Sequence, residues 1–133
     1  MARRSRRTDA VPPPLHELES EVMEELWKSG ESSVRSVMTA LNAGRAKERA
    51  YTTYMTIMAR LHKKDMLVRR REGKTDYYAP AYERDDYLAR RAGAQVEDLV
   101  AQFGDVALSH FAQQIAGLDP ARRRSLQRLA RKS

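Results

Sequence analysis

One stretch of this chain leaves few folds open: "YTTYMTIMARLHKKDMLVRRREGKTDYY", residues 51–78. Tyr54, Ile57, Met58 and Leu61 recur at the spacing of one helix face. After Asp65 the pattern changes. "MLVRRREGKTDYYAP" reads as two strands, residues 67–72 and 75–79, joined at Gly73-Lys74, where glycine supplies a positive φ. The helix itself is expected over residues 50–64. Two further helices precede it. Residues 15–29 carry Leu15, Leu18, Val22 and Leu26 at helical spacing, widened by Met23 and Trp27, and Gly30 stops the run. Glu31 and Ser32 suit a very short strand. Ser33 reads as the N-cap of a second helix with the stripe Val34, Val37, Met38 and Leu41. "NAGR", from Asn42 to Arg45, ends that helix. Three helices followed by a basic hairpin is the order of a winged helix-turn-helix. The expected fold class is therefore mainly α with a small β-wing. The link between helices 2 and 3 is longer than a tight helix-turn-helix turn.

Charge along the chain points to a polyanionic partner. The formal net charge is +7 and the pI about 10.0. Residues 15–29 hold five glutamates against one lysine, whereas residues 45–74 hold ten Lys/Arg against three acids. A generally basic surface does not predict such segregation; a binding face does. On helix 3 the face opposite the apolar stripe carries Arg49, Thr52, Thr56, Ala59 and Lys63, flanked by Met55 and Arg60. No acid falls in residues 50–64, although an ordinary solvated face would carry Glu-Lys pairs.

Such a face suits the major groove of DNA, which admits one helix and exposes base edges to its N-terminal part. Tyr51, Thr52, Met55 and Thr56 are the expected base-reading residues. The threonines offer a hydroxyl to an edge and a methyl to thymine. Arg49, Arg60, Lys63 and the wing's Arg70, Arg71 and Lys74 suit phosphates, which set register and salt dependence but not sequence. Surface hydroxyls tolerated by chance are the bland alternative for the threonines. Tyr54 and Trp27 belong to the core. One of Tyr77 and Tyr78 packs inward and the other is exposed. His62, among lysines, is expected to be exposed, and the helix 1 glutamates are expected to form its solvated face.

The chain divides into an arm, residues 1–14, a winged-helix domain, residues 15–82, and a helical region, residues 83–133. The arm holds four arginines and a run of three prolines, and is expected to be disordered. It either solubilises the protein or adds phosphate contacts. The last region is helical throughout. Leu88, Ala92, Val96, Leu99 and Phe103 form one stripe, and Leu108, Phe111, Ala112 and Ile115 a second. Asp119-Pro120 opens a third helix with Leu126 and Leu129. These stripes follow a domain that already has a core, so a homodimer is expected to cover them. Packing back on the same subunit is the alternative. Leu88, Val96, Leu99, Phe103, Leu108, Phe111 and Ile115 are the expected interface residues.

Other function classes find little support. The chain has 133 residues and 41% apolar content, enough for one small core. It contains no cysteine, which excludes thiolate metal sites and suits a reducing cytoplasm. Its apolar runs are too short to span a bilayer, and the N-terminus lacks the apolar segment of a secretory signal. His16, His62 and His110 are scattered and form no metal-ligand spacing. No phosphate loop or nucleophile elbow is present. No catalytic centre, cofactor or metal is expected. The rival readings are a protein-interaction module and a nucleoid-type architectural protein without sequence preference.

"AYTTYMTIMARLHKKDMLVRRREGKTDYYAP", with "LESEVMEELW" in helix 1 and "ALSHFAQQI" at residues 107–115, resembles the BlaI/MecI penicillinase-repressor family. The resemblance covers roughly residues 15–115. It implies a homodimeric winged-helix repressor that binds inverted repeats overlapping promoters. Thr52, Thr53 and Thr56 match the family's threonine-rich recognition segment, and Thr53 is expected among the phosphate contacts. Arg60 matches its basic end, and Arg70 to Lys74 match the wing. The resemblance also implies a regulatory protease that cuts the dimerisation region before a phenylalanine matched by Phe111. This chain has His110 where those members have asparagine. The cysteine-rich metal site of the CopY-type relatives is excluded here.

Overall fold

In the computed structural model, which describes residues 11–132, helix α1 spans Glu17–Ser29. It starts two residues later than the apolar spacing alone suggests. His16 is extended (φ −80°, ψ 168°) and forms the N-cap. The Glu19 carboxylate turns back to accept its N–H at 3.0 Å. Gly30, at φ 81°, ends the helix and donates its N–H to the Leu26 carbonyl at 2.7 Å. Strand β1 (Ser32–Ser33) follows, and Ser33 also caps helix α2 (Val34–Asn42) by accepting the Ser36 N–H at 3.2 Å.

Helix α3 spans Tyr51–Lys63. Its end is a Schellman turn. The Met66 N–H reaches the Leu61 carbonyl at 2.9 Å and the Asp65 N–H the His62 carbonyl at 3.0 Å. Asp65 holds the left-handed position, φ 63°, which a short polar side chain tolerates better than a branched one. The chain then forms β2 (Leu67–Glu72) and β3 (Thr75–Pro80), an antiparallel hairpin in the register Arg69↔Tyr78 and Arg71↔Asp76. Gly73 supplies φ 61° at the turn. β1 pairs with β3, giving the sheet order β1-β3-β2. Three helices and a three-stranded antiparallel sheet ending in a hairpin make a winged helix-turn-helix.

The core lies where these elements meet. Val22, Met23 and Leu26 of α1 pack with Val34 and Val37 of α2 and with Tyr54, Met58 and Leu61 of α3. Met66, Leu67 and Tyr78 close it from the hairpin. Trp27 is half-buried, donates to the Tyr82 carbonyl at 2.8 Å and meets the Tyr87 ring at 5.5 Å, tilted by 43°. Residues 1–10 of the expected arm lie outside the described residues. Its last part is docked rather than free. Pro12 is buried, and the Pro13 carbonyl accepts the Tyr87 hydroxyl at 3.0 Å. Two carbonyls without competing N–H groups thus meet a tyrosine and Arg91, which donates to Pro12 at 3.4 Å.

By its contacts the chain divides into a unit ending at Ala92 and one beginning at Gly93. The boundary falls inside helix α4 (Arg84–Phe103). The second unit holds the rest of α4, α5 (Asp105–Ala116) and α6 (Pro120–Lys132). Gly104, at φ 61°, separates α4 from α5, and Asp119 caps α6 through the Arg122 N–H at 2.9 Å. No residue of α5 or α6 is buried. Among the described residues, no helix is long and apolar enough to cross a membrane.

Candidate nucleic-acid interface

Burying Tyr54, Ile57, Met58 and Leu61 leaves the other side of α3 outward. Tyr51, Thr52, Met55, Thr56, Ala59, Arg60 and Lys63 are all exposed there, and Thr53 is half-buried. Tyr51 is 41% and Met55 45% accessible, large values for apolar groups of a folded helix. A recess of about 360 Å³ runs along this face, lined by Thr52, Thr53, Thr56 and Arg60. A second groove of about 450 Å³ lies between α2, α3 and the wing, and Arg35, Tyr51, Met55, Lys74 and Tyr77 line it. Arg35 was not marked by the sequence. Its guanidinium stands 5.5 Å over the Tyr51 ring. The two residues are far apart in the chain, and only the packing of α2 on α3 brings them together.

The cations sort into two groups. Arg60, Lys63, Arg69 and Lys74 are exposed. Arg71 is 65% exposed, with a long 3.8 Å approach to Asp76. Arg49 and Arg70 are different. Arg49 was expected on the exposed face of helix 3, but α3 begins at Tyr51, so the helical wheel does not extend to it. Its guanidinium instead forms a two-pronged pair with Glu21 of α1, at 3.2 and 3.1 Å. That carboxylate, and then the Tyr54 hydroxyl, hold the Arg49 pKa above its ordinary value. Arg70 was expected at phosphates too. It binds Glu31 at 2.8 and 3.2 Å, approaches Glu72 at 3.0 Å and lies 4.9 Å over the Tyr77 ring. The Arg70 hydrogen bond in turn holds the Glu31 carboxyl below the usual range. Strand alternation explains the contrast: Arg70 stands opposite Tyr77 in the register, and its neighbours Arg69 and Arg71 point the other way.

Two expectations are corrected. The glutamates of α1 are not simply a solvated face. Glu19 is buried, 1% exposed, and its Oε2 accepts from the Lys64 ammonium at 2.8 Å. Glu24 pairs with Arg84 at 2.8 Å. His62 is half-buried, edge-on to Tyr78 at 6.3 Å. The helix packs closely enough on the sheet to cover it. In the C-terminal region Leu88, Val96, Leu99, Phe103, Leu108 and Ile115 are 37–53% exposed. Phe111 is half-buried and His110 exposed.

Residues 15–132 match the family described as penicillinase repressor. A transcriptional regulator named BlaI from Mycobacterium tuberculosis is 40% identical over 111 residues, covering 80% of this chain and 77% of the relative. The same regulator from strain H37Rv matches equally. A solution structure of monomeric Bacillus licheniformis BlaI in complex with the blaP half-operator shares 29% identity. It covers 57% of this chain and 90% of that one, with a TM-score of 0.48. The chain belongs to the penicillinase repressor family.

Proposed function

We propose that this protein is a sequence-specific DNA-binding repressor, acting in the cytoplasm as a homodimer on an inverted-repeat operator and without catalytic activity of its own. One observation carries the reading: α3 presents an exposed face with two threonines, a tyrosine and a methionine, ringed by cations and free of acids. Family membership supports it. In the major groove, Thr52 and Thr56 lie one turn apart and each offers a hydroxyl and a methyl to a base edge. Tyr51 and Met55 extend the contact at the leading end of the helix. Arg60, Lys63, Thr53 and the wing's Arg69, Arg71 and Lys74 meet phosphates and supply the salt-dependent part of the affinity. Two copies joined through the exposed apolar residues of α4 and α5 double the contact. Bound at a promoter, the dimer blocks polymerase. A regulatory protease cutting between His110 and Phe111 relieves repression, because a monomer loses the local concentration that links two half-sites.

Selection of duplexes from a randomised pool tests this directly. The expected result is a palindromic consensus bound ~10³-fold or more tightly than random duplex in fluorescence anisotropy. Equal, steeply salt-dependent binding to every duplex overturns it in favour of an architectural protein.

A further inference from the structure

The start of α3 is held by a network whose members make none of the DNA contacts proposed above. Asn42, the last residue of α2, is buried. Its amide pairs at two points with the main chain of residue 49. Asn42 Nδ2 donates to the Arg49 carbonyl at 2.9 Å, and Asn42 Oδ1 accepts the Arg49 N–H at 3.1 Å. A main-chain N–H only donates and a carbonyl only accepts, so the orientation of the amide is fixed. The same Oδ1 accepts the Tyr54 hydroxyl at 2.7 Å. The amide thus acts as a rung that closes the irregular link between α2 and α3. On the other side the Arg49 fork grips Glu21. All three helices therefore converge on residue 49, two residues before Tyr51 and three before Thr52.

We propose that Asn42, Arg49 and Glu21 form a clamp that sets how α3 enters the groove, so that Arg49 is a positioning residue for base reading and not a phosphate contact. The proposal rests on α3 being the base-reading element. A bidentate guanidinium–carboxylate pair is planar and directional. It fixes the angle of the first turn of α3 against α1. Small errors there displace the threonines from base edges but leave phosphate contacts, which tolerate displacement, nearly intact.

Glu21 separates the two roles of Arg49. If Arg49 met phosphate, removing the acid would free it and tighten binding. In a clamp, losing either partner does the same damage. The variants are Glu21→Gln, Arg49→Gln and both together, since Asn42→Ala deprives the Arg49 N–H, the Arg49 carbonyl and the Tyr54 hydroxyl of their partner and risks the fold. Each is measured on the duplex the wild type selects and on random duplex, across a salt series. Each single variant is expected to lower the selected-over-random ratio about tenfold and leave the salt slope unchanged, with the double variant no worse than either single. A salt slope flattened by about one unit in Arg49→Gln, with the Glu21→Gln ratio unchanged, overturns the clamp. Amide hydrogen exchange on the free proteins needs no DNA. Faster exchange at residues 49–53 in both variants supports the clamp, and unchanged exchange overturns it. A wild-type protein that selects no sequence overturns the repressor reading instead, and the exchange result still decides the clamp.

Discussion

Single side chains on this surface divide by whether a partner within the protein already holds them. Thr56 projects from an exposed helix face, so removing its hydroxyl costs the fold little. Thr56→Ala is expected to weaken the selected duplex by ~1–3 kcal/mol and to spare random duplex. Equal loss on both would remove it from base reading. Arg71 and Arg70 are neighbours with opposite circumstances. Arg71 is 65% exposed, whereas Arg70 is tied to Glu31 and stacked on Tyr77. Arg71→Ala should weaken every duplex alike and flatten the salt slope by about one unit. Arg70→Ala, also in a salt series, should change the slope less, because its charge is already matched by Glu31.

Between elements, the pair Glu19–Lys64 joins α1 to the end of α3. Burial pushes the Glu19 carboxyl up, but the His16 N–H and the Lys64 ammonium outweigh burial and hold it below its ordinary 4.5. A carboxyl depressed in the folded state adds stability above its unfolded pKa and loses it as pH falls through the folded value. Lys64→Met leaves a buried carboxylate without its cation. The expected cost in urea unfolding near pH 7 is about 2–3 kcal/mol, less than for a fully buried pair because Lys64 remains partly solvated. In the variant the His16 N–H still lowers the Glu19 carboxyl, but the Lys64 contribution is lost and the carboxyl rises relative to the wild type. The gap between variant and wild type should therefore close as pH falls below 4.5. A gap independent of pH would show that the pair contributes through packing only.

At the scale of the whole molecule, the second unit has no core of its own to cover its apolar side chains. Phe103 is 53% exposed and Leu99 37%. A second copy is the proposed cover. Phe103→Asp should give monomers in sedimentation at concentrations where the wild type is dimeric. It should leave the thermal unfolding of the winged helix unchanged, because Phe103 lies outside that core. Persistence of the dimer would place the interface elsewhere.

Local rules made much of this protein legible from its residues. Apolar spacing marked α1, α2 and α3, Ser33 and Asp119 marked caps, and Gly73 marked the wing turn. These signals act over about four residues, the reach of a helix turn or a hairpin loop. The acid-free face of α3 followed from the same periodicity, because a buried stripe dictates its opposite side. Only the tertiary structure decided which cations already have a partner within the protein. Arg49 meets Glu21 across 28 residues, Arg70 meets Glu31 across 39, and Lys64 meets Glu19 across 45. No local pattern encodes those distances. They exist because core packing lays α1 beside α3 and brings the wing to the turn after α1. Ion pairs then form wherever burial has already placed opposite charges together.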